Sequence, residues 1–358
     1  MLEPAARRRS TRRALATAEW ARVESAYVHD AQTNHWWTVG DAAELPPLDD
    51  LAAAAPPEPP RFDGPLRSQL GREAYIAAVA RAVEYIRAGD VFQVNLTHHL
   101  AGMMHGSPRA LFAALAESAA PWYGAYLDTP AGVVASASPE LFLDYDPATR
   151  RIITRPMKGT RAGEHGAAAL LSSEKDAAEL NMIVDLMRND LGRVCDFGSI
   201  RVDAPREIES HGAPPTPHRN GTSGGVLQGV ATVSGTLRKD LGLNDLLRAA
   251  FPPGSITGAP KVRAMQIINE LEPAPRGPYC GCVGFISDSG HAQLSVAIRT
   301  AALSRRIAAN PPAAPGESWV VRYGVGAGIV ADSDPHGEWR ETLVKARIWR
   351  GIADIAEE

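Results

Sequence analysis

Apolar residues recur at helical spacing from Arg72 to Ala88, with Tyr75, Ile76, Val79, Val83, Tyr85 and Ile86 along one side and Gly89-Asp90 as the stop. β-Rich segments follow in close succession. Val91–Thr97, Gly124–Leu127, Gly132–Ser138 and Leu141–Tyr145 read as strands, interrupted by a helical Ala110–Ala120. Short strands among scattered helices predict an α+β fold rather than a doubly wound parallel sheet. Ser173 and Asp176 form a capping box, and the helix it opens carries Leu180, Ile183, Val184 and Met187 on one face. Strands are expected over Arg201–Ile208 and Val226–Leu237, separated by a Gly-, Pro- and Ser-rich loop over residues 211–225. A helix starts at Pro260, and a last one places Glu338, Glu341 and Lys345 on one face with Trp339, Leu343 and Ala346 opposite.

The N-terminal part reads differently. Five arginines lie among the first 20 residues, but Glu3 and Glu19 flank them, which favours a solvated helix start over a transit peptide. His35-Trp36-Trp37-Thr-Val is a strand candidate, and Glu44–Gly64 holds six prolines, a composition expected to form a linker and no helix. The chain is therefore expected to divide into a short N-terminal segment, residues 1–62, and a main domain, residues 63–358.

A 45% hydrophobic, 22% charged composition suits an ordinary globular protein, and no apolar run reaches the roughly 20 residues of a membrane span. The net charge of -4 offers no broad attraction to phosphate backbones, so a small-molecule ligand is expected rather than nucleic acid. Cys195, Cys280 and Cys282 suit neither a disulfide framework nor a zinc site; with no apolar signal segment, a reducing cytoplasm is the expected compartment. Lysine is rare: Lys158, Lys175, Lys239, Lys261 and Lys345 are the only five among 37 basic residues. Mutational bias toward arginine explains that ratio, yet only a lysine can shed its proton and attack as an amine.

Several segments bear groups with chemical potential, each with a plain structural alternative. Glu179 and Asp176 fall at the margin of their helix's apolar face, where a carboxylate seeks a cation, although acids in a first helical turn commonly just satisfy the dipole. Glu341 and Lys345 have the spacing of a surface ion pair. They follow Gly324-Val-Gly326-Ala327-Gly328, however, where glycines let backbone N–H groups approach an anion, and carboxylates beside such a strand suit a hard cation bridging to a substrate carboxylate. Ser255-Ile-Thr-Gly-Ala-Pro-Lys261 pairs small hydroxyls with a helix start, while Tyr279 and Arg299 offer a phenol and a guanidinium fork for carboxylate recognition.

In order along the chain, Ala88-Gly-Asp-Val-Phe-Gln-Val-Asn-Leu, Ser138-Pro-Glu-Leu-Phe, Arg155-Pro-Met-Lys-Gly-Thr, Met182–Val194, Gly254–Met265 and Gly326-Ala-Gly-Ile-Val-Ala-Asp-Ser resemble the motifs of the chorismate-utilising enzymes. The resemblance runs from about Tyr75 to the C-terminus. It implies two packed antiparallel sheets flanked by helices, with chorismate and Mg2+ in a cleft. It implies Glu179 and Glu341 as metal ligands with Glu338 close by, and Gly159, Thr160, Tyr279, Arg299, Gly326, Ala327, Gly328 and Lys345 as the substrate clamp. Glu140 resembles the family's general acid/base. Lys158 stands where the anthranilate, isochorismate and salicylate synthases carry alanine and the aminodeoxychorismate synthases carry lysine. The resemblance therefore implies a transaminase-class replacement of the C4 hydroxyl of chorismate by ammonia through a covalent Lys158 intermediate, on the route to para-aminobenzoate and folate. Ammonia is expected from a separate glutamine amidotransferase, since no cysteine here has a nucleophile's setting. Three departures stand out: Gln228 replaces a usual histidine, Pro253 a usual glycine, and the part before Pro121-Trp-Tyr123 is shorter than in relatives, as a truncated N-terminus would be. A sibling activity such as anthranilate synthesis, and a scaffold that binds an amidotransferase without doing chemistry, are the competing readings.

Overall fold

The computed structural model describes residues 18–30, 32–162, 166–211, 226–305 and 318–357. The chain opens with a hairpin, β1 (Ala26–Asp30) and β2 (His35–Val39), a short helix α1 (Leu48–Ala53), and two short strands, β3 (Arg61–Phe62) and β4 (Arg67–Ser68). Helix α2 (Arg72–Arg87) leads into the long strand β5 (Gln93–His105), then α3 (Pro108–Ala119), β6 (Tyr123–Thr129) and β7 (Gly132–Ser138). Next come β8 (Leu141–Asp146), β9 (Arg151–Arg155), β10 (Met157–Ala162), α4 (Gly166–Ser172), α5 (Glu174–Gly192), β11 (Arg201–His211) and β12 (Val226–Thr236). The last third holds α6 (Leu243–Ala250), β13 (Gly258–Ala259), α7 (Lys261–Leu271), β14 (Cys282–Ile286), β15 (Ala292–Val296), β16 (Thr300–Arg305), β17 (Ser318–Ile329) and α8 (Pro335–Lys345).

Two antiparallel sheets dominate, as the α+β expectation required. One runs β10-β12-β9-β8-β15-β14 with β11 also on β12; the other runs β13-β5-β17-β16-β7-β6 with β3 and β4 also on β5. The first sheet shares a core with α5 and α6, in which Leu180, Ile183, Val184 and Met187 meet Val233, Ala231 and Leu294. The second carries two cores. Leu111 and Leu115 of α3 pack on it with Trp349, whereas Tyr75 and Val79 of α2, Ala264 and Ile267 of α7 and Trp339 of α8 cover another part. Burial of both faces explains the near-continuous apolar and polar burial of β5 from Gln93 to Leu100.

Local rules read from the sequence account for most element ends. The Ser173 hydroxyl caps α5 by accepting from the Asp176 N–H at 3.1 Å, and Asp334 caps α8 by accepting from Gly337 N–H at 2.7 Å. The helix-free linker is corrected: α1 forms between its prolines. Pro47 stands just outside the first turn, where its missing N–H is harmless, Asp49 and Asp50 face the positive helix end, and the helix stops before Pro56. Farther on, Arg61 and Phe62 pair with His105 and Met104 of β5, and Phe62 meets Trp349 edge-on. β5 itself continues past the expected end at Thr97, because β17 pairs with it from Val94 to His105. The arginine-rich start and most of the loop over residues 211–225 lie outside the described residues. No described helix is long and apolar enough to cross a membrane.

Candidate functional site

The described chain passes from one large sheet to the other four times, between β7 and β8, β12 and β13, β13 and β14, and β15 and β16. Glu140 lies on the first passage, Ser255 on the second, Tyr279 on the third and Arg299 on the fourth. The first and fourth passages are stitched together by Ala137 N–H to Arg299 O, Val296 N–H to Glu140 O (both 3.0 Å) and the Ser138 hydroxyl to Val296 O (2.6 Å). Residues distant in sequence thus arrive at one seam.

Glu140 is 4% exposed, and its Oε1 accepts from the Ser255 hydroxyl at 2.6 Å. Burial pushes its pKa up to about 7 against the opposing pull of Ser255 and Lys158, so near neutrality it both gives and takes a proton. Lys158, on β10, has a side chain only 13% exposed, with Nζ 4.0 Å from Glu179 Oε2. Burial lowers its pKa, with nearby Lys345 adding to that effect while Glu179, Glu341 and Glu140 oppose it. A desolvated lysine with a depressed pKa is the form from which a neutral amine is reached. Gly159, next to it, has φ +75° at a bulge against β12, and a Cβ there would meet Leu170 at 2.8 Å and the Asp176 carboxyl at 3.0 Å. The side chain of Thr160 lies outside the described residues.

The glycines of β17 make room for three different neighbours. A Cβ on Gly324 would fall 2.1 Å from the Tyr279 ring, which is buried and packs against that glycine. A Cβ on Gly328 would fall 3.0 Å from Lys158 Nζ and 3.1 Å from Gln93 Nε2. Gly326 lies against Thr97 and gives its carbonyl to Lys345 Nζ at 2.7 Å. Opposite Gly324, Gly326 and Gly328 stand His99, Thr97 and Asn95, whose own backbone groups turn away from β17, to Gln69, Glu272 and Thr257. These are therefore the non-hydrogen-bonded pairs of the ladder, and the three glycines direct their N–H and C=O away from β5. On that side β16 pairs only as far as Tyr323, so the edge beyond has no strand partner there and its Gly326 carbonyl is left to Lys345. Ala327, offset by one, turns toward β5 instead.

Arg299 adopts φ 50°, a conformation that costs a non-glycine residue about 1–2 kcal/mol. Burial lowers the pKa of its guanidinium, and among the described residues no carboxylate pairs with it. A half-buried guanidinium fork with no carboxylate partner among the described residues suits an external anion. Tyr279 is likewise held neutral by burial, which raises its pKa well above the usual value.

Glu179 of α5 and Glu338 and Glu341 of α8 supply carboxylates to one region, since Lys175 of α5 acts electrostatically on both α8 glutamates. Lys345 Nζ sits 2.8 Å from Glu341 Oε1, Lys175 Nζ 3.9 Å from Glu179 Oε1, and Ser333 donates to Glu338 Oε1 at 2.6 Å. Burial and repulsion from Glu341 raise the pKa of Glu338 against the opposing pull of the Ser333 hydrogen bond and of Lys175 and Lys345. In this arrangement lysines are interleaved with the acids, and among the described residues no three acidic, histidine or cysteine side chains stand at metal-ligand spacing. The donor chemistry nevertheless fits a hard divalent cation: oxygen donors on two helices, one of them raised in pKa by burial and by a neighbouring acid.

Two participants escaped the sequence reading. Gln93 is fully buried with neither its amide nitrogen nor its oxygen partnered, beside Lys158; its signal was a polar residue at an inward strand position. Ser255 was grouped with the helix start near Lys261, but it serves Glu140, whereas Lys261 is taken up by Asp190 at 2.5 Å and Ala250 O. Gln228 is buried in β12, in register with Thr160 and Glu209, and Pro253 precedes the single turn carrying Ser255.

An acid near neutrality, a desolvated amine, a guanidinium with no carboxylate partner among the described residues and a strand edge without a neighbouring strand thus come together near one seam, which makes it a candidate site for an anionic ligand. The chain belongs to the chorismate binding enzyme family, which matches residues 3–350. It is 39% identical over 298 residues to the anthranilate synthase component 1 of Thermus thermophilus, covering 81% of this chain and 59% of that protein. It is 37% identical over 338 residues to the aminodeoxychorismate synthase of Streptomyces griseus, covering 91% of this chain and 43% of that protein. The chain thus spans about half the length of these curated relatives. Its fold matches the crystal structure of anthranilate synthase component I from Streptococcus pneumoniae with TM-score 0.71 at 30% identity, over 90% of this chain and 71% of that one.

Proposed function

We propose that the protein is an aminodeoxychorismate synthase component that replaces the C4 hydroxyl of chorismate with ammonia, and that Lys158 is its nucleophile. The observation that carries this reading is the Lys158 amine, buried and depressed in pKa, packed against Gly328 and Gln93 at the open edge of β17. Arg299, Tyr279 and the N–H groups of Gly326 and Gly328 would hold the ligand's carboxylates and oxygens, with Lys345 close at hand. Glu179 and Glu341, with Glu338, would hold Mg2+, which neutralises a substrate carboxylate when bound. The neutral Lys158 amine forms a bond to ring C2, the ring double bonds shift, and the C4 hydroxyl leaves as water with a proton from Glu140. Ammonia then bonds at C4 and the Lys158–C2 bond breaks with its electron pair returning to the amine, while the surplus proton of the new C4 ammonium goes back to Glu140. Gln93 would face this exchange with an unpartnered amide. The ammonia would come from a separate glutamine amidotransferase, because the three cysteines have thiol pKa values pushed up to about 11 by burial, the opposite of an activated nucleophile.

Anthranilate synthesis remains the second reading, favoured by the 39% identity to a relative of that name. One experiment separates them. Purified protein with chorismate, magnesium and ammonium should yield 4-amino-4-deoxychorismate by mass spectrometry; anthranilate would establish the sibling activity, and no product at all would favour a scaffold. Intact mass without ammonium should show a ring adduct in the wild type and none in Lys158→Ala or Lys158→Arg. An adduct that maps elsewhere, or near wild-type turnover by Lys158→Arg, would overturn the nucleophile assignment.

A further inference from the structure

His98 lies on the apolar face of β5, away from the cleft, and is 3% exposed. Its ring stacks on Trp339 of α8 at 5.0 Å and 21°, and meets Tyr75 of α2 edge-on at 4.9 Å. Both ring nitrogens are engaged. Nδ1 is 3.0 Å from the Ser68 hydroxyl, which accepts from the N–H of Gly71 at the start of α2, and Nε2 is 3.0 Å from the hydroxyl of Thr342. Thr342 is fully buried in α8 and its hydroxyl lies 2.7 Å from the Trp339 carbonyl.

One arrangement of protons gives every hydrogen an acceptor. The Trp339 carbonyl can only accept, so Thr342 donates to it and accepts from Nε2–H; Nδ1 is then bare and accepts from Ser68. Burial keeps the imidazole neutral, with a pKa lowered to about 3. A directional chain of four hydrogen bonds therefore runs from the start of α2, through β5, into the middle of α8.

Thr342 stands four residues after Glu338, one after Glu341 and three before Lys345. We propose that the Ser68–His98–Thr342 relay sets the rotation of α8 about its axis and so aims Glu338, Glu341 and Lys345 into the cleft, making His98 and Thr342 positioning residues. A 20° roll moves a side-chain end about 2 Å at the outer radius of a helix, on the order of 5–6 Å. A magnesium site tolerates only about 0.2 Å. Stacking on Trp339 alone leaves such a roll open, because a ring slides on a ring, whereas a bond to Thr342 does not. The ties at the two ends of α8, Ser333 to Glu338 and Lys345 to Gly326, use the functional groups themselves and cannot aim them independently.

The inference rests on the metal-site reading of the α8 glutamates for its functional meaning, and two readouts keep the two apart. Thr342→Val keeps the shape and loses the hydroxyl; Thr342→Ser keeps the hydroxyl and loses the methyl. If the relay orients α8, hydrogen exchange over residues 335–345 accelerates in Thr342→Val and stays close to wild type in Thr342→Ser. Mn2+ affinity, followed by electron paramagnetic resonance on the full chain, should weaken by about tenfold in Thr342→Val and change little in Thr342→Ser, the size typical of lost support to a ligand. His98→Leu should weaken it similarly, and the His98→Leu/Thr342→Val pair no further, since both break one chain. A role in packing alone gives the reverse order, with Ser worse than Val, and would overturn the proposal, as would unchanged exchange in both. Wild-type protein that binds no Mn2+ would sink the metal reading, while the exchange data would still decide the relay.

Discussion

Glu140→Gln is expected to make the protein inactive and, above neutral pH, more stable. The unfolded chain releases the Glu140 proton near the ordinary 4.5, whereas the folded protein holds it until about 7. Between those values the native state binds more protons than the unfolded one, so this group's contribution to stability falls as pH rises and the loss is complete above 7. The gap amounts to about 3 kcal/mol at about 1.4 kcal/mol per tenfold, and burial leaves little solvent to screen it. Glutamine has no charge to strand, and its carbonyl still accepts from the Ser255 hydroxyl now at 2.6 Å. Thermal unfolding of the two proteins should therefore coincide near pH 4 and diverge by about 6 °C near pH 8.5, at roughly 2 °C per kcal/mol for a chain of this size. Turnover should fall by roughly 100-fold or more at every pH, as befits a lost proton donor. A stability difference that is the same at both pH values, or a variant less stable than wild type at pH 8.5, would refute the claim that a desolvated ionisable carboxyl sits at the seam.

Three further outcomes are expected. Glu341→Gln should weaken magnesium activation by at least about tenfold, read as the magnesium concentration for half-maximal product formation; an unchanged value would detach α8 from the metal. Gly328→Ala pushes a methyl to 3.0 Å from Lys158 Nζ, and should slow adduct formation by about tenfold or more while leaving the unfolding temperature nearly unchanged. Gly324→Ala, whose methyl falls 2.1 Å from the Tyr279 ring, should instead lower stability by about 1–3 kcal/mol or more in denaturant titration.

What was legible in the sequence was local. The cap at Ser173, the apolar stripe of α5 and the alternating strands follow from rules acting over a few residues, and each appears where its pattern lies. The pairing of Ser255 with Glu140 spans 115 residues and depends on two separate passages between sheets, so no local pattern carries it. The face of α8 is legible only in part: spacing puts Glu338 on the polar side with Glu341, yet it is buried like Trp339, because Ser333 and neighbouring lysines make a burial tolerable that its charge would oppose. Proline content misleads over residues 44–64, since eight residues free of proline lie between Pro47 and Pro56 and suffice for one short helix of six. Gly324, Gly326 and Gly328 were legible as a place of close approach, but which neighbour approaches each was written in Tyr279, Thr97 and Lys158, far away in the chain.

The stitched crossing of the β7–β8 and β15–β16 passages has a mechanical corollary. Hydrogen bonds there tie Ala137 to Arg299, Val296 to Glu140 and Ser138 to Val296, so the two passages are riveted to each other where the acid and the guanidinium stand, and a breathing of one sheet against the other is expected to turn about that rivet. Groups at a pivot travel least. Lys158 on β10 with Glu179 of α5, and the α8 helix, stand off the rivet and swing with their own sheets, so an opening motion would carry the amine and the carboxylates of α8 apart while Glu140 and Arg299 keep their registration. The seam would then behave as a jaw whose hinge holds the acid and the guanidinium in fixed register while the amine and the helix-borne carboxylates travel.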